Sequence, residues 1–219
     1  MLDIYFVRHG ATCETPSGRY AGLRDVALSE RGLDMAQHLA HRLASVAWQR
    51  LYTSPLQRTR QTVAPVAAAA GLTPHTDPDL AEIAYGAWDG LTPDEVATRF
   101  PAQYASWLQD PARHPPPGGE TITEVATRAR RSLDNIIAAH PQGSVLVVSH
   151  KTTLRVLLCV ILGIDPRHYK RRFAMPLGGV SVVRFSAQGP QLLRFADTDY
   201  LPPHLHGAAD TQPTTGAPR

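Results

Sequence analysis

Two short apolar runs that each end in a histidine constrain this chain more than any other feature. Residues 2–7 are apolar, aromatic and β-branched and stop at Arg8-His9-Gly10, while residues 144–148 stop at Ser149-His150. Both read as buried strands, and strands that need cover on both faces call for an α/β layered fold. Ligands of open α/β sheets gather at the carboxyl ends of the strands. Either histidine alone reads equally well as a satisfied structural residue. A matched pair, with arginine and glycine beside one of them, points to a site.

The segments between the two runs are helical in pattern. Ser29 opens a helix with Leu33, Ala36, Ala40 and Leu43 at helical spacing, and a second strand around Arg50-Leu51-Tyr52-Thr53 leads to Ser54-Pro55. Pro55 suits the first turn of the next helix, which runs towards Ala70, is disturbed at Pro65 and stops at Gly71. Thr92-Pro93-Asp94-Glu95 is a capping box, and Pro101 ends or bends the helix it opens. Thr121 and Glu124 form a second box ahead of a long amphipathic helix with Ile122, Val125, Ala129, Leu133 and Ile136 on one stripe. A helix over about 152–162 follows the second histidine, and 179–185 with 191–195 read as a hairpin around Gln188-Gly189-Pro190. The expected fold is three-layer α/β/α, with a mostly parallel central sheet and an antiparallel edge, in one catalytic domain over 1–200. Residues 201–219 form a Pro/Gly/Thr-rich tail whose last dozen residues are expected to be mobile.

Several function classes lack support. The longest apolar run, 156–162, is far short of the roughly 20 residues that span a bilayer. The opening residues have neither a basic region nor a cleavage site, so a cytoplasmic address is expected. Cys13 and Cys159 are too few and too far apart for a zinc knuckle or a disulfide framework, and both are expected as free thiols. All but two of the 22 basic residues are arginines, scattered as on solvated helix faces and without aromatic interleaving, so no nucleic-acid partner is expected. Arginine excess does suit an anionic small molecule. No Gly-x-Gly-x-x-Gly follows the first strand, Lys151-Thr152 lacks the glycine loop of a P-loop, and no His-Glu-x-x-His occurs. Neither a metal nor another cofactor is expected.

Val7-Arg8-His9-Gly10-Ala11-Thr12 resembles the signature opening of the histidine phosphatase superfamily, also called phosphoglycerate-mutase-like. Later blocks are similar to that family in the family's order: Leu28-Ser29-Glu30-Arg31-Gly32, Ser54-Pro55-Leu56-Gln57-Arg58-Thr59-Arg60-Gln61-Thr62, Glu82-Ile83-Ala84-Tyr85-Gly86-Ala87-Trp88-Asp89-Gly90, Gly118-Gly119-Glu120 and Val147-Val148-Ser149-His150. The resemblance covers about 2–185. It implies that His9 is a nucleophile forming a phosphohistidine, that Arg8, Arg58 and His150 bind the phosphoryl oxygens, and that Glu82 is the general acid and then the general base. An ordinary glutamate is ionised at neutral pH, so the acid role calls for burial or a nearby phosphate. Without the surrounding block, Arg58 would read as an exposed helix charge and Glu82 as a loop carboxylate.

The leaving-group side departs from the family pattern. Glu14 and Thr15 stand where the family often has tryptophan and asparagine, and Lys151 replaces a common glycine. Thr15 still offers a hydroxyl. Lys151, Arg19, Tyr20, Tyr85 and the tail residues His204 and His206 are candidates for a polar pocket around the leaving group, although plain disorder is the preferred reading of the tail. The overall pattern, including Gly18-Arg19-Tyr20 and the His-bearing tail, looks similar to the metal-independent phosphoserine phosphatases of the family, which makes phosphoserine the first expected substrate. The expected partner is a small-molecule phosphomonoester, possession of a membrane contact is not expected, and a homodimer is compatible with the sequence. Two rivals remain at this stage: a cofactor-dependent phosphoglycerate mutase and a noncatalytic phospholigand-binding module.

Overall fold

A computed structural model describes residues 1–206. Six strands form one sheet in the order β3-β2-β4-β1-β5-β6. The parallel part comprises β1 (Leu2–Arg8), β2 (Trp48–Thr53), β3 (His75–Thr76) and β4 (Gly143–Ser149). The closing hairpin, β5 (Val180–Ser186) and β6 (Gly189–Asp197), adds the antiparallel edge next to β1. Short β3 escapes a reading of hydrophobic runs because both its residues are exposed.

Alternation along the strands sends their side chains into two cores, one on each face. Ile4, Phe6, Val145 and Val147 pack with Val125, Ala129, Leu133 and Ile136 of α5 (Ile122–Ala139) and Leu154, Leu157 and Leu158 of α6 (Lys151–Ile161). Val7, Leu51, Leu146 and Val148 pack on the other face with Leu39 and Ala40 of α1 (Glu30–Arg42) and Val63 and Val66 of α2 (Gln57–Ala70). Three layers result, as the alternation of strands and helices requires.

Local signals set most element ends. The Ser29 hydroxyl accepts from the Gly32 amide at the start of α1, and Gly71 ends α2 at φ +65°. Both capping boxes close, at Thr92/Glu95 ahead of α3 (Pro93–Arg99) and at Thr121/Glu124 ahead of α5. Pro101 does more than end α3: it opens the separate α4 (Pro101–Gln109), where its missing amide is harmless. Pro65 lies inside α2 without ending it, and α2 starts two residues beyond Pro55. The tail does not detach at residue 200. Leu201 and Leu205 are buried against Ala11 and Met35, with a 3-10 turn at Pro203–Leu205, and the last dozen residues, for which mobility is expected from composition, lie outside the described residues.

Candidate active site

Strand register explains why the two histidines meet. Arg8 of β1 pairs with Ser149 of β4, so the next residue of each chain segment, His9 and His150, leaves the sheet at the same carboxyl edge. Their rings lie 5.3 Å apart between centroids. The His9 amide donates to the Ser149 carbonyl at 3.1 Å. His9 Nδ1 sits 2.8 Å from the Gly10 carbonyl, which can only accept, so Nδ1 carries the proton and Nε2 the lone pair. The Gly10 amide donates to Thr62 Oγ1, whose hydroxyl donates to the Arg58 carbonyl, joining this loop to α2. Close approach to α1 depends on Gly32: a Cβ there would lie 1.9 Å from the Ala11 carbonyl oxygen.

His150 is fully buried with both ring nitrogens engaged. Arg58 Nε donates to Nδ1 at 3.1 Å, which places the ring proton on Nε2, and Nε2 donates to Ser54 Oγ at 2.7 Å. Burial first, then the charges of Arg58 and His9, hold this imidazole well below its usual range and keep it neutral. Arg58, the residue that reads in isolation as an exposed helix charge, is 1% exposed. Its Nη1 donates to the Arg24 carbonyl at 2.7 Å and its Nη2 to the Gly22 carbonyl at 2.8 Å. Since a guanidinium carries five N–H groups, each terminal nitrogen retains one for a phosphoryl oxygen. Arg8 is also buried, with Nη1 donating to the Met175 carbonyl at 2.6 Å.

Glu82 closes the set from the amino end of α6. Its Oε1 accepts from the amides of Ile83 (2.9 Å) and Thr153 (3.2 Å), and Oε2 accepts from the amide of Thr152 (3.1 Å). Because α6 begins immediately after His150, one helix terminus positions the second histidine and the carboxylate together. The arrangement offers a nucleophilic nitrogen, two buried guanidinium groups, a neutral donor imidazole and a carboxyl group around one sheet edge. That inventory suits phosphoryl transfer. Among the described residues no group of three or more His, Cys, Asp and Glu could hold a metal ion. No described helix is long and apolar enough to cross a membrane.

On the leaving-group side the expected residues part company. Tyr20 and Tyr85 are buried with rings 4.6 Å apart, and Tyr85 Oη lies 3.3 Å from Thr152 Oγ1, beside Glu82. Lys151 is the first residue of α6. Thr15 instead braces its own turn, its Oγ1 accepting from the Thr12 amide at 2.8 Å. Arg19 reaches the Gly90 carbonyl and the Glu95 carboxylate, both at 2.8 Å, on an exposed surface. His204 faces Asp34 of α1 at 3.8 Å and His206 bonds the Leu201 carbonyl at 2.7 Å. Burial of Leu201 and Leu205 beside Ala11 and Met35 thus places His204 against α1 and His206 against its own turn.

Several residues of the site carry no single-residue signal. Ser54 directly follows β2 at the same sheet edge as the histidines, so the strand-end rule could have found it. Thr152 and Thr153 hold Glu82 chiefly through backbone amides, which any residue supplies, with the Thr153 hydroxyl adding a longer contact at 3.3 Å. Asp89 packs on the loop that Arg58 holds: a Cβ on Gly22 (φ +22°) would lie 2.0 Å from its Oδ1. Burial pushes the Asp89 carboxyl up to about 6 against the opposing pull of Arg24.

Comparison with known proteins agrees with this geometry. Residues 4–198 match the histidine phosphatase superfamily (branch 1). Phosphoserine phosphatase 1 of Hydrogenobacter thermophilus is 34% identical over 165 residues, 75% of this chain and 78% of that protein. The probable phosphoglycerate mutase GpmB of Yersinia pestis is 36% identical over 180 residues, 80% of this chain and 81% of that protein. The chain spans about half the length (54%) of a group of mycobacterial relatives to which it is 36% identical. Among solved structures, YhfR of Bacillus stearothermophilus superposes with a TM-score of 0.85 at 26% identity, over 91% of this chain and 99% of that one. With the family matched along nearly the whole described chain and the paired histidines at one sheet edge, this protein belongs to branch 1 of the histidine phosphatase superfamily and is a phosphatase by family.

Proposed function

We propose that this chain hydrolyses a small-molecule phosphomonoester without a metal, through a phosphohistidine on His9. The observation that carries the reading is the tautomer of His9: the Gly10 carbonyl takes the Nδ1 proton, which leaves the Nε2 lone pair for phosphorus. In the first half-reaction Nε2 bonds to phosphorus, the ester P–O bond breaks, and the leaving oxygen takes a proton from protonated Glu82. In the second, the Glu82 carboxylate takes a proton from water as the water oxygen bonds to phosphorus. The N–P bond then returns its pair to His9, and phosphate departs. One carboxyl group serves both steps. Arg8, Arg58 and His150 supply hydrogen bonds to the three spectator oxygens, the role a divalent ion takes in many other phosphoryl-transfer enzymes.

Phosphoserine is the substrate we favour. Lys151 opens α6 beside the Thr152 amide that holds Glu82, and its ammonium suits a carboxylate on the leaving group. The phosphoserine phosphatase relative supports the same choice. Kinship with a probable phosphoglycerate mutase keeps a second reading, in which the phosphoryl group returns to a sugar acid instead of water. Two measurements decide. Rapid acid quench after mixing with labelled phosphoserine should trap an acid-labile phosphoenzyme that is missing in His9→Ala, and its absence during turnover would sink the covalent route. Incubation with 3-phosphoglycerate and a bisphosphoglycerate primer should release phosphate, whereas fast 2-phosphoglycerate formation with little phosphate would establish the mutase.

A further inference from the structure

The Gly118-Gly119-Glu120 block and Arg128 of α5 have no part in the phosphate-binding set, yet their hydrogen bonds converge on the segment that carries Glu82. That segment needs outside support, because Glu82 lies in neither helix nor strand, between 3-10 turns at Pro78–Leu80 and Gly86–Trp88. Arg128 Nη1 donates to the carbonyls of Asp79 (2.8 Å) and Ala81 (2.7 Å), while Nε and Nη2 donate to Glu120 Oε1 (2.8 Å) and Oε2 (3.0 Å). Glu120 extends the contact: its Oε2 accepts from the Ala84 amide at 2.9 Å, and its own amide donates to the Ala84 carbonyl at 2.9 Å. The ion pair thus grips the chain at 79, 81 and 84, on both sides of Glu82. Gly119 allows this approach, since a Cβ there would lie 2.5 Å from the Ala84 carbonyl oxygen. With side chains 13% and 26% exposed, the pair is sheltered and bidentate, a geometry that holds one orientation.

Other elements complete the seat. The Thr153 hydroxyl of α6 donates to the same Ala81 carbonyl at 2.6 Å, and Ser149 Oγ, at the end of β4, donates to the Leu80 carbonyl at 2.7 Å. The start of α6 holds the Glu82 carboxylate, whereas α5 and the loop ahead of it hold the chain that bears it. These two supports differ in when they act. Backbone amides bind an ionised carboxylate more strongly than a neutral carboxyl, and the acid step needs the neutral form. While Glu82 is the proton donor, its position therefore depends most on the backbone contacts from Arg128 and Glu120.

We infer that Glu120 and Arg128 are positioning residues whose ion pair fixes the chain around Glu82 and thereby sets the reach of its protonated carboxyl to the leaving oxygen. The inference rests on the reading of Glu82 as general acid and extends it to a pair that does not touch the substrate. A displacement of about 1 Å at the acid is enough to slow proton transfer on the order of a hundredfold. Esters whose leaving group departs without a proton are spared that loss.

The test is leaving-group dependence, which a loss of folded protein alone does not change. Release of the phenol in a single turnover is compared for phenyl phosphate, whose leaving group has a pKa of about 10, and p-nitrophenyl phosphate, whose anion leaves with little help. Rates are normalised to the folded fraction from circular dichroism. Arg128→Met and Glu120→Ala should each slow the phenyl ester by roughly tenfold or more beyond any effect on the nitrophenyl ester. Should Arg128→Met not fold, Glu120→Ala decides alone. Because the pair acts through Glu82, adding Glu120→Ala to Glu82→Gln should slow the phenyl ester by less than about twofold further. Equal slowing of the two esters, or losses that multiply with that of Glu82→Gln, would overturn the positioning role and leave the acid reading in place. If the unmutated enzyme cleaves neither ester, or Glu82→Gln alone slows both alike, the reading beneath falls and takes this inference with it.

Discussion

Replacing Glu82 by glutamine separates the chemical role of this residue from its structural one. The carboxylate accepts from the amides of Ile83, Thr152 and Thr153, with Oε1 taking two of them and Oε2 one. A glutamine whose amide oxygen takes the Oε1 position keeps two donors and turns its NH2 towards the Thr152 amide, leaving one donor unsatisfied. Losing a charged acceptor and stranding one amide costs about 2–4 kcal/mol. For a domain of this size that is a fall in Tm of roughly 5–15 °C, so the variant should still fold at 25 °C. Loss of the proton donor should slow alkyl phosphoesters by about 10²–10⁴ in kcat. With p-nitrophenyl phosphate the leaving oxygen needs little protonation, so formation of the phosphoenzyme should proceed while its hydrolysis, which needs the base, stalls. Stopped-flow absorbance should then show a burst of one equivalent of nitrophenolate per site followed by slow turnover. If both ester types slow by one factor with no burst, Glu82 acts only by holding the start of α6, and the acid–base assignment falls.

Arg58→Ala removes the guanidinium that binds His150 and the carbonyls of Gly22 and Arg24, and should lower kcat/KM roughly a hundredfold or more; wild-type-like kinetics would take Arg58 out of the site. Exhaustive EDTA treatment should leave activity intact, because side-chain cations supply the charge; a loss restored only by a divalent ion would refute that. His150 is held neutral in the folded chain, whereas an unfolded histidine titrates at about 6.5. The folded state therefore binds fewer protons, and this contribution to stability is complete above about pH 6.5 and is lost as pH falls below that value. Urea midpoints at pH 7.5 and 5.5 should differ more for wild type than for His150→Gln; equal differences would dismiss His150 as the titrating group. Lys151→Ala should raise KM for phosphoserine much more than for p-nitrophenyl phosphate, and equal effects on both would remove the carboxylate contact.

The fold was legible wherever a residue's role follows from its own neighbours in sequence. Thr92/Glu95 and Thr121/Glu124 are local hydrogen-bond pairs, so both helix starts could be read directly. The two buried strands announced themselves through apolar runs, and their ends marked the sheet edge. Tertiary placement was less accessible. Arg19 looks like a pocket residue until Glu95, 76 positions away, claims it. His204 and His206 sit in a segment whose composition signals a detached tail, yet Leu201 and Leu205 find an apolar seat on α1. Pro65 stays inside α2 because packing of Val63 and Val66 against the sheet outweighs the hydrogen bond it removes. Nothing local links Arg128 to the carbonyls of Asp79 and Ala81, 49 and 47 positions away.

The hydrogen bonds around Arg58 suggest how one charged group can serve both assembly and catalysis. In the unliganded site its charge contributes to keeping His150 neutral, and its Nε fixes the His150 proton on Nε2. On the proposed reading, a phosphoryl dianion arriving among Arg8, Arg58 and His150 would draw the His150 Nε2–H away from Ser54 towards a spectator oxygen, while Arg58 Nε, still donating to Nδ1, keeps the ring neutral. The imidazole can thus stay a neutral, tightly packed core residue and still turn its one N–H to the substrate once negative charge is present. Ser54, which shares its proton contact in the free state, is the group that must yield. On the proposed reading, such a site needs no ordered ion for its positive charge, because the fold buries its arginines beside an imidazole whose one proton they fix.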